Sequence, residues 1–237
     1  MQSNTIRPFP ERSWGARLWF RLSYGVIDLV LHLVARVQIS GEEHIPKDGG
    51  VVLASNHISL LDTLMIPCSI IAAQGVQVVW APAKTELFDL PLIGRMIASW
   101  GAFPVRRGRG DVHAMRRMVT HMQTGKVMLF PEGTRSRDGH LGEGKRAVGK
   151  LIYEARPVVI PTVVWGTDRL WPKGRYLPRL RTSIGICYGK PLNLQRFYTL
   201  PNTKETAGAI VGEIMASIQA LLETVPLPRT DVSAGDT

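Results

Sequence analysis

Val51-Val52-Leu53-Ala54-Ser55-Asn56-His57-Ile58-Ser59-Leu60-Leu61-Asp62 opens as a short apolar run and closes on a histidine and an aspartate five residues apart. The run Val51–Ala54 reads as a buried strand. On a straight helix, five steps of about 100° would set the two side chains ~140° apart, on different faces. They can meet only if His57 precedes the helix. The sequence offers that start: Ser59 as N-cap and Asp62 three residues later form an S-x-x-D variant of the capping box. His57 then lies on the turn, with Asp62 in the first helical turn beneath it. A carboxylate bonded to one ring nitrogen fixes the tautomer and stabilises the imidazolium, which suits a general base. The same residues also fit a plain helix cap beside a loop histidine.

Working outward, strands alternate with helices. Strands are expected at Val37–Ser40, Val76–Trp80, Gly101–Arg107, Val127–Phe130, Val158–Val164 (carrying Pro161) and Arg181–Tyr188. Helices are expected over Leu60–Ala73, interrupted or kinked near Pro67, and over Pro91–Trp100, Asp111–Gln123, Lys145–Ala155 and Thr206–Leu222. This order implies an α/β fold with a largely parallel sheet flanked by helices. The stripe Ile210, Val211, Ile214, Met215, Ile218, Leu221 and Leu222 reads as core packing. The polar tail after Thr224 is expected to be disordered. No internal repeat is visible.

The stretch Trp14–Val37 differs from the rest. If it is one helix, Arg17, Arg21, Asp28, His32 and Arg36 share an arc of ~100°. Nearly everything else in it is apolar, with Trp14 and Trp19 among them. No run of about 18 uncharged residues exists, so a spanning helix is not expected. A wide apolar face with a narrow polar stripe fits a segment lying in the membrane interface, and Gly25 is a place where it could break in two. The competing reading is a helix packed on the protein's own core. These boundaries give an N-terminal helical motif over residues 1–37, an α/β domain over 38–224 and a polar tail over 225–237.

The 237 residues carry 29 Lys plus Arg against 19 Asp plus Glu, a net charge of +10 that points to an anionic partner. Cys68 and Cys187, both among apolar neighbours, give no disulfide framework and no CxxC site, which fits a reducing compartment. No histidine pairs at metal-ligand spacing, so no metal is expected. No secretory cleavage pattern is evident. Nucleic-acid reader motifs and aromatic–basic interleaving are absent, which argues against DNA or RNA. A hydrolase using His57 with water would be expected to carry a G-x-S-x-G or H-E-x-x-H motif, and neither occurs.

A second constellation is Phe130-Pro131-Glu132-Gly133-Thr134-Arg135-Ser136, at the carboxyl end of an expected strand. Ligands of α/β sheets sit at such ends, where His57, Lys84 and Arg107 are also expected. Gly133 lets the backbone approach an anion closely. Thr134 and Arg135 can donate to phosphate oxygens, and Lys84 and Arg107 can add charge. Glu132 would repel an anion, so it is expected to orient Arg135.

With both constellations in hand, His57-x4-Asp62 followed by Phe130-Pro131-Glu132-Gly133-Thr134-Arg135 resembles the glycerolipid acyltransferases, and within them the 1-acylglycerol-3-phosphate acyltransferases. Gly101-x-Phe-Pro-Val-x-Arg107, Ala83–Leu87 and Val159–Ile160–Pro161 resemble further blocks of that family, and the likeness runs from about residue 37 to 190. One departure is Gly144, where the family often has phenylalanine. The resemblance implies that His57 is the base and Asp62 its partner, and that Arg107, Glu132, Gly133 and Arg135 serve the acceptor. It implies transfer from acyl-CoA or acyl carrier protein to a lysophospholipid hydroxyl, with no further cofactor. It also implies an N-terminal membrane-associated motif and a monotopic protein on the cytoplasmic face of the cell membrane. A different acceptor, such as glycerol 3-phosphate, another lysophospholipid or a glycolipid, fits the same motifs. A non-catalytic basic membrane-surface protein is the rival from another class.

Overall fold

The structure is a computed structural model that describes residues 12–105, 112–136, 138–172 and 177–225. Among these residues seven strands form one sheet: β1 Ala35–Ser40, β2 Val51–Ser55, β3 Val79–Lys84, β4 Ala102–Val105, β5 Lys126–Leu129, β6 Val158–Trp165 and β7 Thr182–Tyr188. Their spatial order is β1-β7-β6-β2-β5-β3-β4. Pairing is parallel throughout except between β6 and β7. Five strands therefore share one direction, and β7 and β1 run against them. The helices are α1 Trp14–Val34, α2 Asp62–Gln74, α3 Pro91–Ser99, α4 Val112–Thr124, α5 Arg146–Ala155, α6 Thr167–Leu170, α7 Gln195–Tyr198 and α8 Lys204–Leu222.

Alternation along β2 explains the layering. Every residue of β2 is buried, as expected of a central parallel strand covered on both faces. Val52 and Ala54 face a core built with Met118 and Met122 of α4, Leu151 and Ile152 of α5, and Ile210, Ile214 and Ile218 of α8. Val51 and Leu53 face the other core, with Leu31 of α1 and Met65, Ile66 and Ile70 of α2. The stripe on α8 is thus internal, as the sequence indicated.

Several boundaries differ from the sequence expectation for physical reasons. β3 was expected to stop at Trp80, ahead of Pro82, yet it continues to Lys84. Beyond Trp80 it pairs only with β4, so the missing N–H of Pro82 falls where a ladder is needed on one side alone. α2 runs unbroken through Pro67. α1 is one helix, not two; Gly25 sits on its outer side, where a Cβ would meet no atom within 4 Å. β1 starts at Ala35, so residues 35–37 belong to the sheet and Arg36 leaves the helical polar stripe. Arg107 and the tail from residue 226 lie outside the described residues.

One side chain extends the sheet to the site. Asn56, the residue after β2, donates through Nδ2 to the Val164 carbonyl at 2.8 Å and accepts at Oδ1 from the Val164 N–H at 2.8 Å. The amide copies a peptide unit and carries the β2–β6 ladder one step past the last strand residue, fixing where His57 begins. Asn56→Ala leaves two buried backbone groups of Val164 without these partners. It is expected to lower the unfolding free energy by about 1–3 kcal/mol, read as a lower urea midpoint with an unchanged slope.

Candidate active site

Asp62 opens α2 and is completely buried. Its Oδ2 accepts from the N–H groups of Ile58 at 2.7 Å and Ser59 at 2.8 Å, and lies 2.9 Å from His57 Nδ1. Its Oδ1 accepts from Thr167 Oγ1 at 2.6 Å. The bond back to the Ser59 N–H is the carboxylate half of the capping box read from the sequence. Ser59 Oγ accepts from the Leu61 N–H at 3.3 Å, so the hydroxyl half closes one residue early.

An ionised carboxylate can only accept, so His57 carries its proton on Nδ1 and leaves Nε2 as the basic nitrogen. Phe130 stacks on the imidazole with centroids 3.9 Å apart and planes 13° apart. The ring is therefore held at one nitrogen and along one face.

Glu132 is buried, with only 4% of its surface exposed. Its Oε1 accepts from the His57 N–H at 3.2 Å and its Oε2 from the Gly142 N–H at 2.9 Å. This corrects the expectation that it orients Arg135. The carboxylate instead ties the His57 turn to the loop ahead of α5. The His57 carbonyl completes the tie by accepting from the Ser136 N–H at 2.8 Å.

Gly133 has φ 70° and donates its N–H to the Phe130 carbonyl at 2.9 Å. Its part is the tight turn, since that N–H is engaged within the chain. Beyond the turn, Thr134 and Arg135 are exposed, and among the described residues no hydrogen bond or ion pair engages Arg135. Lys84 is exposed at the carboxyl end of β3, two strands from β2, and does not line the cavity that residues 58–61 border; His57, one residue before that stretch, is not in the lining itself.

That cavity, about 940 Å³, has two characters. Leu60, Leu61, Leu64 and Trp171 give it an apolar wall, and Thr134 and Arg135 give it hydrogen-bond donors, while the hydroxyl and N–H of Ser136 are already donated to Asp138 and the His57 carbonyl. Asp138 and Asp168 share the lining. The Asp138 carboxyl is held below the usual range by the His140 N–H and the Ser136 hydroxyl. Among the described residues no group of three His, Cys, Asp or Glu side chains is disposed to hold a metal ion. Gly144 points away from the cavity: a Cβ there would lie 2.7 Å from Met215 Cγ and 2.8 Å from Val211 Cγ2. Side chains of α8 occupy the space a larger residue would need.

Sequence reading missed Thr167, Phe130 as a ring partner, and Asn56 as a strand extension. Thr167 is fully buried and follows Gly166, whose φ of 78° turns the chain from β6 into α6. It is 105 residues from Asp62 in sequence, and only the adjacency of β2 and β6 brings the two together.

The sequence model of the Acyltransferase family matches residues 36–165. That span runs from β1 to the end of β6 and holds His57, Asp62 and Glu132–Arg135. A 1-acyl-sn-glycerol-3-phosphate acyltransferase of Bacillus subtilis is 25% identical over 207 residues, covering 85% of this chain and 96% of the relative. The chloroplastic 1-acyl-sn-glycerol-3-phosphate acyltransferase LPAT1 of Arabidopsis thaliana is 29% identical over 182 residues, 75% of this chain and 48% of the relative. The chain spans about half the length of the plant relatives it matches. The crystal structure of the 1-acyl-sn-glycerophosphate (LPA) acyltransferase PlsC from Thermotoga maritima superposes with a TM-score of 0.64 at 22% identity, covering 89% of this chain and 82% of that one. At that identity the likeness is one of fold. The family match takes in more than half of the chain and both constellations of the site, and the chain belongs to the acyltransferase family.

Proposed function

We propose that this protein transfers an acyl group from a thioester to the free hydroxyl of 1-acylglycerol-3-phosphate, forming phosphatidic acid. The observation that carries the reading is the His57–Asp62 pair, held at Nδ1 and basic at Nε2, on a turn whose next residues, 58–61, line a cavity with an apolar wall and a polar side that combines the donors of Thr134 and Arg135 with the carboxylates of Asp138 and Asp168. The names of the relatives above support the same activity.

In this reading His57 Nε2 takes the acceptor's hydroxyl proton as the oxygen attacks the thioester carbonyl. The new ester C–O bond forms, the C–S bond breaks, and the departing thiolate takes the proton from the imidazolium. Asp62 stabilises that imidazolium and holds its orientation. Arg135 and Thr134 receive the acceptor phosphate, and the leucines and Trp171 take its acyl chain. Gly133 shapes the turn that presents Arg135, and Glu132 holds the His57 turn to the loop ahead of α5. Lys84 stands outside this cavity and adds positive charge only at longer range. The donor is acyl-CoA or acyl carrier protein; beyond it the mechanism calls on no cofactor.

We also propose that α1 lies in the membrane interface on the cytoplasmic side. Its outward positions are nearly all apolar: Trp14 is 72% exposed and Leu33 72%, with Leu18, Trp19, Leu22, Val26, Leu29 and Val30 between them. Arg17, Arg21, Asp28 and His32 keep to one margin of that face. A soluble surface of this size and composition would be unusual, and a lipid interface suits it.

A thiol-release assay with the purified full chain, run across acyl donors and acceptors, tests the reaction. His57→Ala is expected to cut turnover by about 10²–10⁴-fold with the fold retained by circular dichroism; near-parental turnover in the folded variant would remove the mechanism.

Thr167→Val strips the donor from Asp62 Oδ1. It should cost about 1–3 kcal/mol of stability and slow turnover, with Thr167→Ser recovering both. Arg135→Ala should raise the KM for the phosphorylated acceptor by roughly tenfold to a hundredfold, the effect of losing a charge-assisted hydrogen bond of about 1.5–3 kcal/mol. An equal effect on a phosphate-free acceptor would move phosphate recognition to another residue.

A further inference from the structure

α3 carries an apolar surface that nothing in the proposed chemistry uses. Leu92 is 85% exposed, and Ile93 and Met96 are exposed beside it. The turn leading into the helix adds exposed Leu87 and Leu90. The opposite side of the helix is fixed inward: Gly94 is buried, and a Cβ there would lie 2.9 Å from the Phe88 Cα. The exposed side therefore cannot be turned in without unpacking the helix.

This surface adjoins that of α1. Ser99, the last residue of α3, accepts at its hydroxyl from Trp19 Nε1 at 3.0 Å, and its carbonyl accepts from the Arg12 guanidinium. Trp19 is itself one of the exposed apolar residues of α1. At the other end of α1, the Val34 carbonyl accepts from the Arg181 N–H at 2.7 Å, next to exposed Leu180. The Arg179 N–H donates to the Leu170 carbonyl at 2.7 Å, and the residue after Leu170, Trp171, lines the cavity. Exposed apolar side chains thus run from α3, across α1, to the cavity mouth, where Leu60 is also exposed.

We propose that α3 and the turn before it are a second bilayer contact, and that α1, α3 and the rim at Leu60 and Trp171 rest on the same membrane surface. The inference depends on the reading of α1 as interfacial and extends it to an element the N-terminal segment does not include. Lipid is the occupant the features favour. The exposed apolar side chains lie on the outward faces of α1 and α3 and on the turn before α3, and Trp19 joins the two faces through Ser99. Arg21 on α1, Lys84 at the end of β3 and Arg95 on α3 are exposed on the same elements or beside them, as are Glu86 and Asp89 between β3 and α3. The rim at the cavity would meet the bilayer where an amphiphilic acceptor is held, so the acceptor can pass from lipid to site without crossing water.

The test uses the full chain, anionic phosphatidylglycerol–phosphatidylcholine vesicles and high salt, which removes electrostatic attraction and leaves insertion. Substitution is preferred to truncation because Phe20 and Leu31 of α1 are core residues. Leu92→Glu with Met96→Glu is expected to weaken vesicle partitioning at least about tenfold. Turnover on a monomeric short-chain acceptor should stay at the parental level, while turnover on vesicle-borne acceptor falls. In an otherwise parental chain, an environment-sensitive dye on Leu92→Cys should shift to the blue on vesicles and be quenched by brominated lipid.

Parental partitioning of the α3 variant, or a dye that brominated lipid leaves unquenched, overturns the proposal. So does a parent chain that sediments as a dimer and becomes monomeric in the α3 variant, which would make the face a contact between two copies. Leu22→Glu with Leu29→Glu reports on α1 separately. If that variant alone binds like the parent, the α1 reading fails and the inference built on it fails too; loss in α1 with no loss in α3 removes only the second contact.

Discussion

Asp62 has no contact with water, and a buried carboxylate is costly unless its oxygens are satisfied. Here they are satisfied by four donors from three places: the turn after β2, the His57 ring, and Thr167 after β6. The same carboxylate therefore begins a helix, aims an imidazole and anchors α6. Each of these would shift if the charge moved, so the position of Nε2 is set by the electrostatic demand of one buried group. Glu132 repeats the arrangement on a smaller scale, holding the N–H of His57 and that of Gly142 with its two oxygens.

Much of the fold was legible because the central strands obey simple rules. Val51–Ala54 is apolar without alternation, the pattern a strand covered on both faces must have. The meeting of His57 and Asp62 followed from helix geometry, since a spacing of five forbids contact inside a helix. The reversal of β7 and β1 was not legible, since nothing in Arg181–Tyr188 states which way the strand runs. Arg135 was identified for its donors, and it does border the cavity. Glu132 was misread because charge logic considered a ligand that the carboxylate does not face, when its partners are backbone N–H groups. Thr167 had no local signal at all: a threonine after a Gly turn becomes a donor to Asp62 only through the order of strands in the sheet.

Two apolar helices show how the same pattern resolves differently. α8 is long and apolar enough to cross a bilayer by length and composition, yet its stripe is packed on α5 and β6. α1 buries only Phe20 and Leu31 and turns a wider apolar arc outward. Hydropathy alone does not separate them. What separates them is the surface left over once the sheet is covered: α4, α5 and α8 close one face, while on the other α2 already packs against the sheet beneath α1.

The hydrogen bonds that build the site also set when it can exist during synthesis. His57 is tied to Glu132 across 75 residues, and Asp62 to Thr167 across 105. A nascent chain that has emerged only through β5 and the turn after it can bring Glu132 to the His57 turn, but Asp62 still lacks its fourth donor and Asn56 lacks the β6 edge. Contacts this distant in sequence form late, because long loops must close before they reward the chain. The basic nitrogen is thus fixed only after β6 has joined the sheet, and a truncated chain lacking that strand would hold the histidine without the geometry that orients it.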